Sequence, residues 1–183
     1  MKDSVTGLTS IDRVTREKRV LDCHFRKYRD DDAAALVQVF NHFVTDSFAA
    51  YPEKEVDADF IRGLARWTDQ YPFYVIESPA GEAVGFGLLR PYRDAPIFRR
   101  SGELTYFILP AETNKGLGSK LLDMLTRDAR EMKIDSLVAN ISSLNEQSLR
   151  FHEKHGFRQC GLFESIGIKH GRSFDLVWMQ KRL

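Results

Sequence analysis

Residues 103–122 read as a β-strand running through a glycine-containing loop into a helix, and this junction narrows the possible folds more than any other stretch. Glu103 to Leu109 is rich in aromatic and branched residues and is closed by Pro110. From Gly116 the spacing turns helical, with Leu117, Leu121, Met124, Leu125, Ala129 and Met132 marking one buried face. Gly116 and Gly118 allow the backbone to approach a ligand closely, and the unpaired amides of a first helical turn point at whatever sits there. The junction is therefore a candidate anion site, with Lys115 and Lys120 adding positive charge. Neither G-x-x-x-x-G-K-[ST] nor a complete G-x-G-x-x-G is present. A bare G-x-G before a helix is equally well a purely structural loop.

The flanking periodicities supply the rest of the sheet. Residues 24–28 fit a short strand, and Asp30, Asp31 and Asp32 offer a cap and first-turn acids to a helix reaching about residue 46. Leu36, Val39, Phe40, Phe43 and Val44 form its apolar stripe. A second helix over residues 56–68 carries Phe60, Leu64 and Trp67, and Tyr71-Pro72 stops it. Residues 73–77 and 83–89 form a hairpin about a turn at 78–81. A strand at 137–141 precedes a helix at 145–155 that ends on Gly156. Two closing strands, 157–168 and 172–179, meet near His170-Gly171. The order β-α-α-β-β-β-α-β-α-β-β predicts an α+β (mixed α/β) fold, a sheet covered by helices.

Length and composition bound the function. The 183 residues suit one domain, expected over residues 23–183 behind an N-terminal tail at 1–22. At 43% hydrophobic residues global disorder is excluded. With 27 Lys+Arg against 26 Asp+Glu, the charge of +1 leaves no excess to neutralise a polyanion, so no nucleic-acid partner is expected. The first twenty residues hold no apolar run and mix acids with bases, so neither a signal peptide nor a membrane span is expected there, and the predicted location is cytoplasmic. Cys23 and Cys160 are read as reduced thiols. Without H-E-x-x-H or a Cys/His cluster, no metal is expected.

The loop Thr113-Asn114-Lys115-Gly116-Leu117-Gly118 resembles the Gln/Arg-x-x-Gly-x-Gly/Ala pyrophosphate loop of the GNAT superfamily of N-acetyltransferases, with Thr113 standing where that family has Gln or Arg. Asn145 through Phe157 is similar to the second cofactor motif. Glu103-Leu-Thr-Tyr106-Phe-Ile108, His rather than Tyr at position 152, and the ending Gly167-Ile-Lys169-His-Gly171-Arg172-Ser-Phe174-Asp175 resemble the branch typified by phosphinothricin and methionine sulfoximine acetyltransferases. The resemblance implies a central, mostly antiparallel twisted sheet flanked by about four helices, acetyl-CoA as co-substrate, and a homodimer. It also implies that the main chain of Tyr106, Phe107 and Ile108 pairs with the pantetheine arm, their side chains serving packing. The phosphate-binding set is then Thr113, Asn114, Lys115, Gly116, Leu117, Gly118 and Ser119.

Acetyl transfer to an amine needs a base for the ammonium, a donor for the oxyanion and an acid for the thiolate. Glu103, about 17 Å along the strand from Ile108, is the expected base, directly or through a water; the bland alternative is a strand-end carboxylate in a surface ion pair. Asn145, Ser148 and His152 share one helix face. Asn145 and Ser148 are expected at the pantetheine, and His152 either protonates the thiolate or only contacts the cofactor. In the basic segment 90–100, Arg93 is the candidate clamp for an acceptor carboxylate, with Ile97 beside it. Phe48 and Tyr51, between the first two helices, are the candidate apolar wall, with core packing as the alternative for Phe48. The expected activity is acetyl-CoA-dependent N-acetylation of a small amino-acid-like amine. A protein N-terminus, a lysine or a polyamine as acceptor, or an acyl-CoA-binding module without catalysis, are the alternatives.

Overall fold

The computed structural model describes residues 22–183; the expected tail at 1–22 lies outside them apart from its last residue. Seven strands form one sheet: β1 His24–Lys27, β2 Phe73–Glu77, β3 Ala83–Pro91, β4 Ser101–Ile108, β5 Ser136–Ser142, β6 Arg158–Lys169 and β7 Arg172–Arg182. Among the described residues four α-helices cover it: α1 Ala33–Asp46, α2 Ala58–Trp67, α3 Leu117–Glu131 and α4 Glu146–Lys154. The strand order is β1-β2-β3-β4-β5-β7-β6, and all neighbours run antiparallel except β4 and β5. The expected α+β class and element order are those observed.

Local chemistry sets the helix starts. Asp57 accepts the amides of Asp59 and Phe60 at 3.1 and 3.3 Å and so caps α2. The acids before α1 behave otherwise: Asp30–Asp32 form a 3-10 turn, and Asp32 faces back to Arg26, which donates through two nitrogens at 2.7 and 2.6 Å. The same carboxylate accepts the Arg29 amide at 2.7 Å, so Asp32 caps the 3-10 turn that leads into α1 and ties it to β1.

Two apolar layers hold the sheet. On one face Leu36, Phe40 and Val44 of α1 and Ile61 of α2 pack on Phe73, Val75, Phe86 and Leu88. On the other, Leu117, Leu121 and Leu125 of α3 meet Ile76, Leu137, Ile141, Phe157 and Met179. Strand alternation divides β4 between them, Tyr106 toward α3 and α4 and Phe107 edge-on to Phe40 at 5.0 Å.

The sheet parts at its centre. β4 and β5 pair only from Ser101↔Ser136 to Glu103↔Val138, although β4 continues beside β3 to Ile108 and β5 beside β7 to Ser142. Beyond Glu103 the two strands diverge. The β5-facing backbone of residues 104–108 therefore has no strand partner among the described residues.

Candidate active site

A cleft of about 900 Å³ passes the diverging end of β4, reaching from the N-terminus of α3 and the face of α4 to the C-terminal end of α1. It gathers most of the expected set: Tyr106, Phe107, Ile108, Thr113, Asn114, Gly116, Gly118, Ser119, Asn145, Ser148 and Phe48 all line it. Leu117 turns its side chain into the core, leaving only its backbone for a ligand. Lys115 stands beside the loop, paired with Glu112 at 2.9 Å.

The candidate anion end is built by backbone geometry. Gly116 adopts φ 93°, which glycine reaches without strain, and Asn114 adopts φ 60°. Thr113 donates its hydroxyl to the Pro110 carbonyl at 2.8 Å, so it shapes the turn that precedes the glycines. A Cβ on Gly118 would lie 3.3 Å from the Phe151 ring, so the helix start sits close against α4. The α3 amides face the cleft with the positive end of the helix dipole behind them. Arg150 and Lys154 of α4 also line this end. They belong to the amphipathic pattern of α4, but nothing in their spacing marked them as facing α3.

Tyr106, half-buried on the cleft wall, pairs with His152 behind it, which is 2% exposed. The His152 Nδ1 lies 2.7 Å from the Ser148 carbonyl, which can only accept, so Nδ1 donates and Nε2 is left as acceptor for the Tyr106 hydroxyl at 2.5 Å. Burial holds the His152 imidazole down to about 4 and pushes the Tyr106 phenol well above its usual value. Burial thus disfavours the charged form of His152, and both ring nitrogens are engaged, Nδ1 by the Ser148 carbonyl and Nε2 by Tyr106. The Tyr106 side chain, expected to serve packing, adds a hydrogen bond to His152. Asn145 caps α4 by accepting the Ser148 amide at 3.2 Å.

Glu103 sits where the strands part, only 4% exposed, and is not itself on the cleft lining. Its Oε1 accepts from Arg90 and from Asn140 of β5. Burial raises its pKa, while Arg90, Arg93 and Asn140 pull it back. An ion pair is present, yet a buried one, not the surface pair of the bland alternative. Arg90 in turn stacks over Trp67 at 4.7 Å. Tyr51 donates to the Asn140 Oδ1 at 2.9 Å, which turns the Asn140 amide nitrogen toward the carboxylate. Sequence inspection named Tyr51 only as apolar wall and missed the chain Tyr51–Asn140–Glu103, whose members are 89 and 37 residues apart.

The remaining expected residues are more peripheral. Arg93 is exposed, its guanidinium 5.4 Å from the Tyr92 ring, and Ile97 is 81% exposed; neither lines the cleft. Arg93 still lies near enough for its charge to act on Glu103. Phe48 lies edge-on to Phe174 at 6.3 Å with the Arg172 guanidinium 5.2 Å from its ring, which brings a second cation to the apolar wall. Among the described residues, no cluster of three or more His, Cys, Asp or Glu could hold a metal, and no helix is long and apolar enough to cross a membrane.

Comparison with known proteins matches this geometry to a family. The model of the acetyltransferase (GNAT) family matches residues 36–157. An L-methionine sulfoximine/L-methionine sulfone acetyltransferase of Salmonella typhimurium is 34% identical, over 83% of this chain and 90% of its own. A phosphinothricin N-acetyltransferase of Alcaligenes faecalis is 31% identical over 88% and 83%. Among solved structures, yncA of Salmonella typhimurium with its cofactor acetyl-CoA superposes with a TM-score of 0.81 at 32% identity, covering 88% of this chain and 94% of the other. A ribosomal-protein-alanine N-acetyltransferase from Brucella melitensis gives 0.80 at 33% identity, covering 87% and 99%.

Proposed function

The chain belongs to the acetyltransferase (GNAT) family, and on that footing we propose that residues 23–183 transfer the acetyl group of acetyl-CoA to the amine of a small amino-acid-like acceptor of the methionine sulfoximine, methionine sulfone or phosphinothricin type. The carrying observation is the divergence of β4 from β5, which sets a backbone anion site at one end of the cleft and a buried carboxylate near the other.

Acetyl-CoA, when bound, supplies an activated acetyl thioester and a thiol leaving group. The chain's residues fit it. The α3 amides and the Thr113–Gly118 turn meet the pyrophosphate, and the unpaired backbone of Tyr106, Phe107 and Ile108 is free to bond the pantetheine amides. A β4 amide aimed at the acyl oxygen stabilises the charge that develops there. Asn145 and Ser148 offer polar contacts from α4, and Tyr106, held from behind by the buried His152, forms the wall beside them.

Glu103 takes the proton from the acceptor ammonium, directly or through a water. Its raised pKa suits that task, and Tyr51 with Asn140 fixes the carboxylate's orientation. Phe48 supplies the apolar wall and Arg93 the carboxylate clamp, with Arg172 as a second cation. A protein N-terminal amine is the second acceptor class, raised by the Brucella melitensis neighbour.

The assembly we propose is a cytoplasmic homodimer. β6 is a twelve-residue edge strand that exposes Leu162, Phe163, Ile166 and Ile168 at 44 to 70%, an edge of the kind that a second copy covers. Thiol release from acetyl-CoA over an amine panel tests the activity. Turnover with methionine sulfone, methionine sulfoximine or phosphinothricin is expected; turnover with peptides alone would move the assignment to the second class.

A further inference from the structure

The β6–β7 hairpin inverts the usual burial rule. Ile168 is 70% exposed, while its neighbour Lys169 is 1% exposed and ranks among the largest fully buried side chains. Its ammonium donates to the Ser47 and Ala50 carbonyls at 2.8 and 2.6 Å, with the Phe43 carbonyl at 3.4 Å. Those carbonyls lie at the C-terminal end of α1 and in the connection that follows, where orphan acceptors and the negative end of the helix dipole favour a cation. The same connection presents Ser47, Phe48 and Ala49 to the cleft and leads into Tyr51.

A second contact ties the same two segments. Phe174 on β7 stacks on Tyr51 at 6.0 Å and meets Phe48 edge-on. It sits over Gly167, where a Cβ would come within 2.3 Å of the ring. The register of β6 against β7 slips between Phe163 and Gly167, with Ser165 at φ 49° and its amide bonded to Asp175 at 2.8 Å. After this bulge Lys169 points inward.

We propose that Lys169 is a positioning residue for the acceptor site: its ammonium gathers the carbonyls that end α1 and thereby sets Phe48 and Tyr51 where the amine substrate binds. Burial lowers the Lys169 pKa, with Glu53 opposing, yet three carbonyl acceptors and the helix end favour its charged form. The inference rests on the acceptor reading above and adds a residue that touches neither substrate.

Steady-state kinetics with L-methionine sulfone and L-phosphinothricin as probes separate these claims. Lys169→Met orphans the carbonyls; it should raise the acceptor KM tenfold or more while the acetyl-CoA KM stays within twofold, and should speed amide exchange over residues 43–51. Lys169→Gln keeps one donor and should raise the acceptor KM at least threefold. Phe48→Ala should raise it too, and the double variant Lys169→Met with Phe48→Ala should be little worse than Phe48→Ala alone. Unchanged acceptor KM in the lysine variants, an equal rise in both KM values, full additivity, or failure of both lysine variants to fold would each overturn the positioning role. A wild-type enzyme that releases no thiol with any amine would instead remove the acceptor reading, and this inference with it.

Discussion

Glu103→Gln is the sharpest perturbation of the chemistry, because it removes a charge and keeps the shape. The wild-type carboxylate is only 4% exposed and holds Arg90 and Asn140 on one oxygen. A positioned general base contributes about 10²–10⁴ in rate, which at 1.36 kcal/mol per tenfold is about 3–5 kcal/mol of barrier. The substitution also strips Arg90, itself 21% exposed, of its counter-charge; breaking a buried pair in this way costs about 3 kcal/mol of stability. The two effects are separable. Urea denaturation gives the folded fraction, and thiol release at saturating acetyl-CoA and acceptor gives kcat per folded molecule. kcat should fall at least a hundredfold. The wild-type pH profile should show an acid limb above the ordinary carboxylate range, because burial raises the Glu103 pKa and activity grows as the group ionises. Glu103→Gln should lose that limb and keep the alkaline rise of the acceptor amine. A folded Glu103→Gln enzyme within threefold of wild type, with the acid limb intact, would refute the base assignment.

Gly116→Ala forces a Cβ into φ 93° at the start of α3, a strain of about 1–2 kcal/mol; the acetyl-CoA KM should rise severalfold in initial-rate assays while the acceptor KM holds. His152 should titrate near 4 by NMR and contribute no ionisation to the rate profile around neutrality. Since its folded pKa lies below the unfolded value of about 6.5, stability is complete above that pH and declines as the unfolded chain gains a proton, by up to about 3 kcal/mol on approaching pH 4; His152→Gln should lose this part of the slope in denaturation midpoints. Replacing Ile166 and Ile168 together by Lys should convert the proposed dimer to a folded monomer in sedimentation velocity, because the two side chains are 58 and 70% exposed in one chain.

The elements were legible because their signals are local. The stripes of α1 and α3, the Tyr71-Pro72 stop before β2 and the Gly156 end of α4 each lie within a few residues of what they specify. The loop proposed for phosphate was readable for the same reason: one turn, one glycine at φ 93° and one helix start make it. The acceptor end is different. Tyr51, Asn140 and Glu103 come from the α1–α2 connection, β5 and β4, and only the sheet order brings them together. His152 carries the polar stripe of α4 but is 2% exposed, because Tyr106 covers one nitrogen and the Phe157 ring stands 4.9 Å away. The inward turn of Lys169 depends on a bulge whose pairing slip has no composition signal. The +1 net charge concealed a division into a cationic loop, a buried ion pair and a buried lysine.

The proposed reaction is acetyl transfer through the cleft between β4 and β5 to an amino-acid amine. Mass spectrometry of a reaction containing acetyl-CoA and L-methionine sulfone, with free thiol measured alongside, tests it most directly. One N-acetylated acceptor per thiol released is the predicted result. Acetyl-CoA binding without any acetylated product, from this acceptor or from methionine sulfoximine and phosphinothricin, would contradict it.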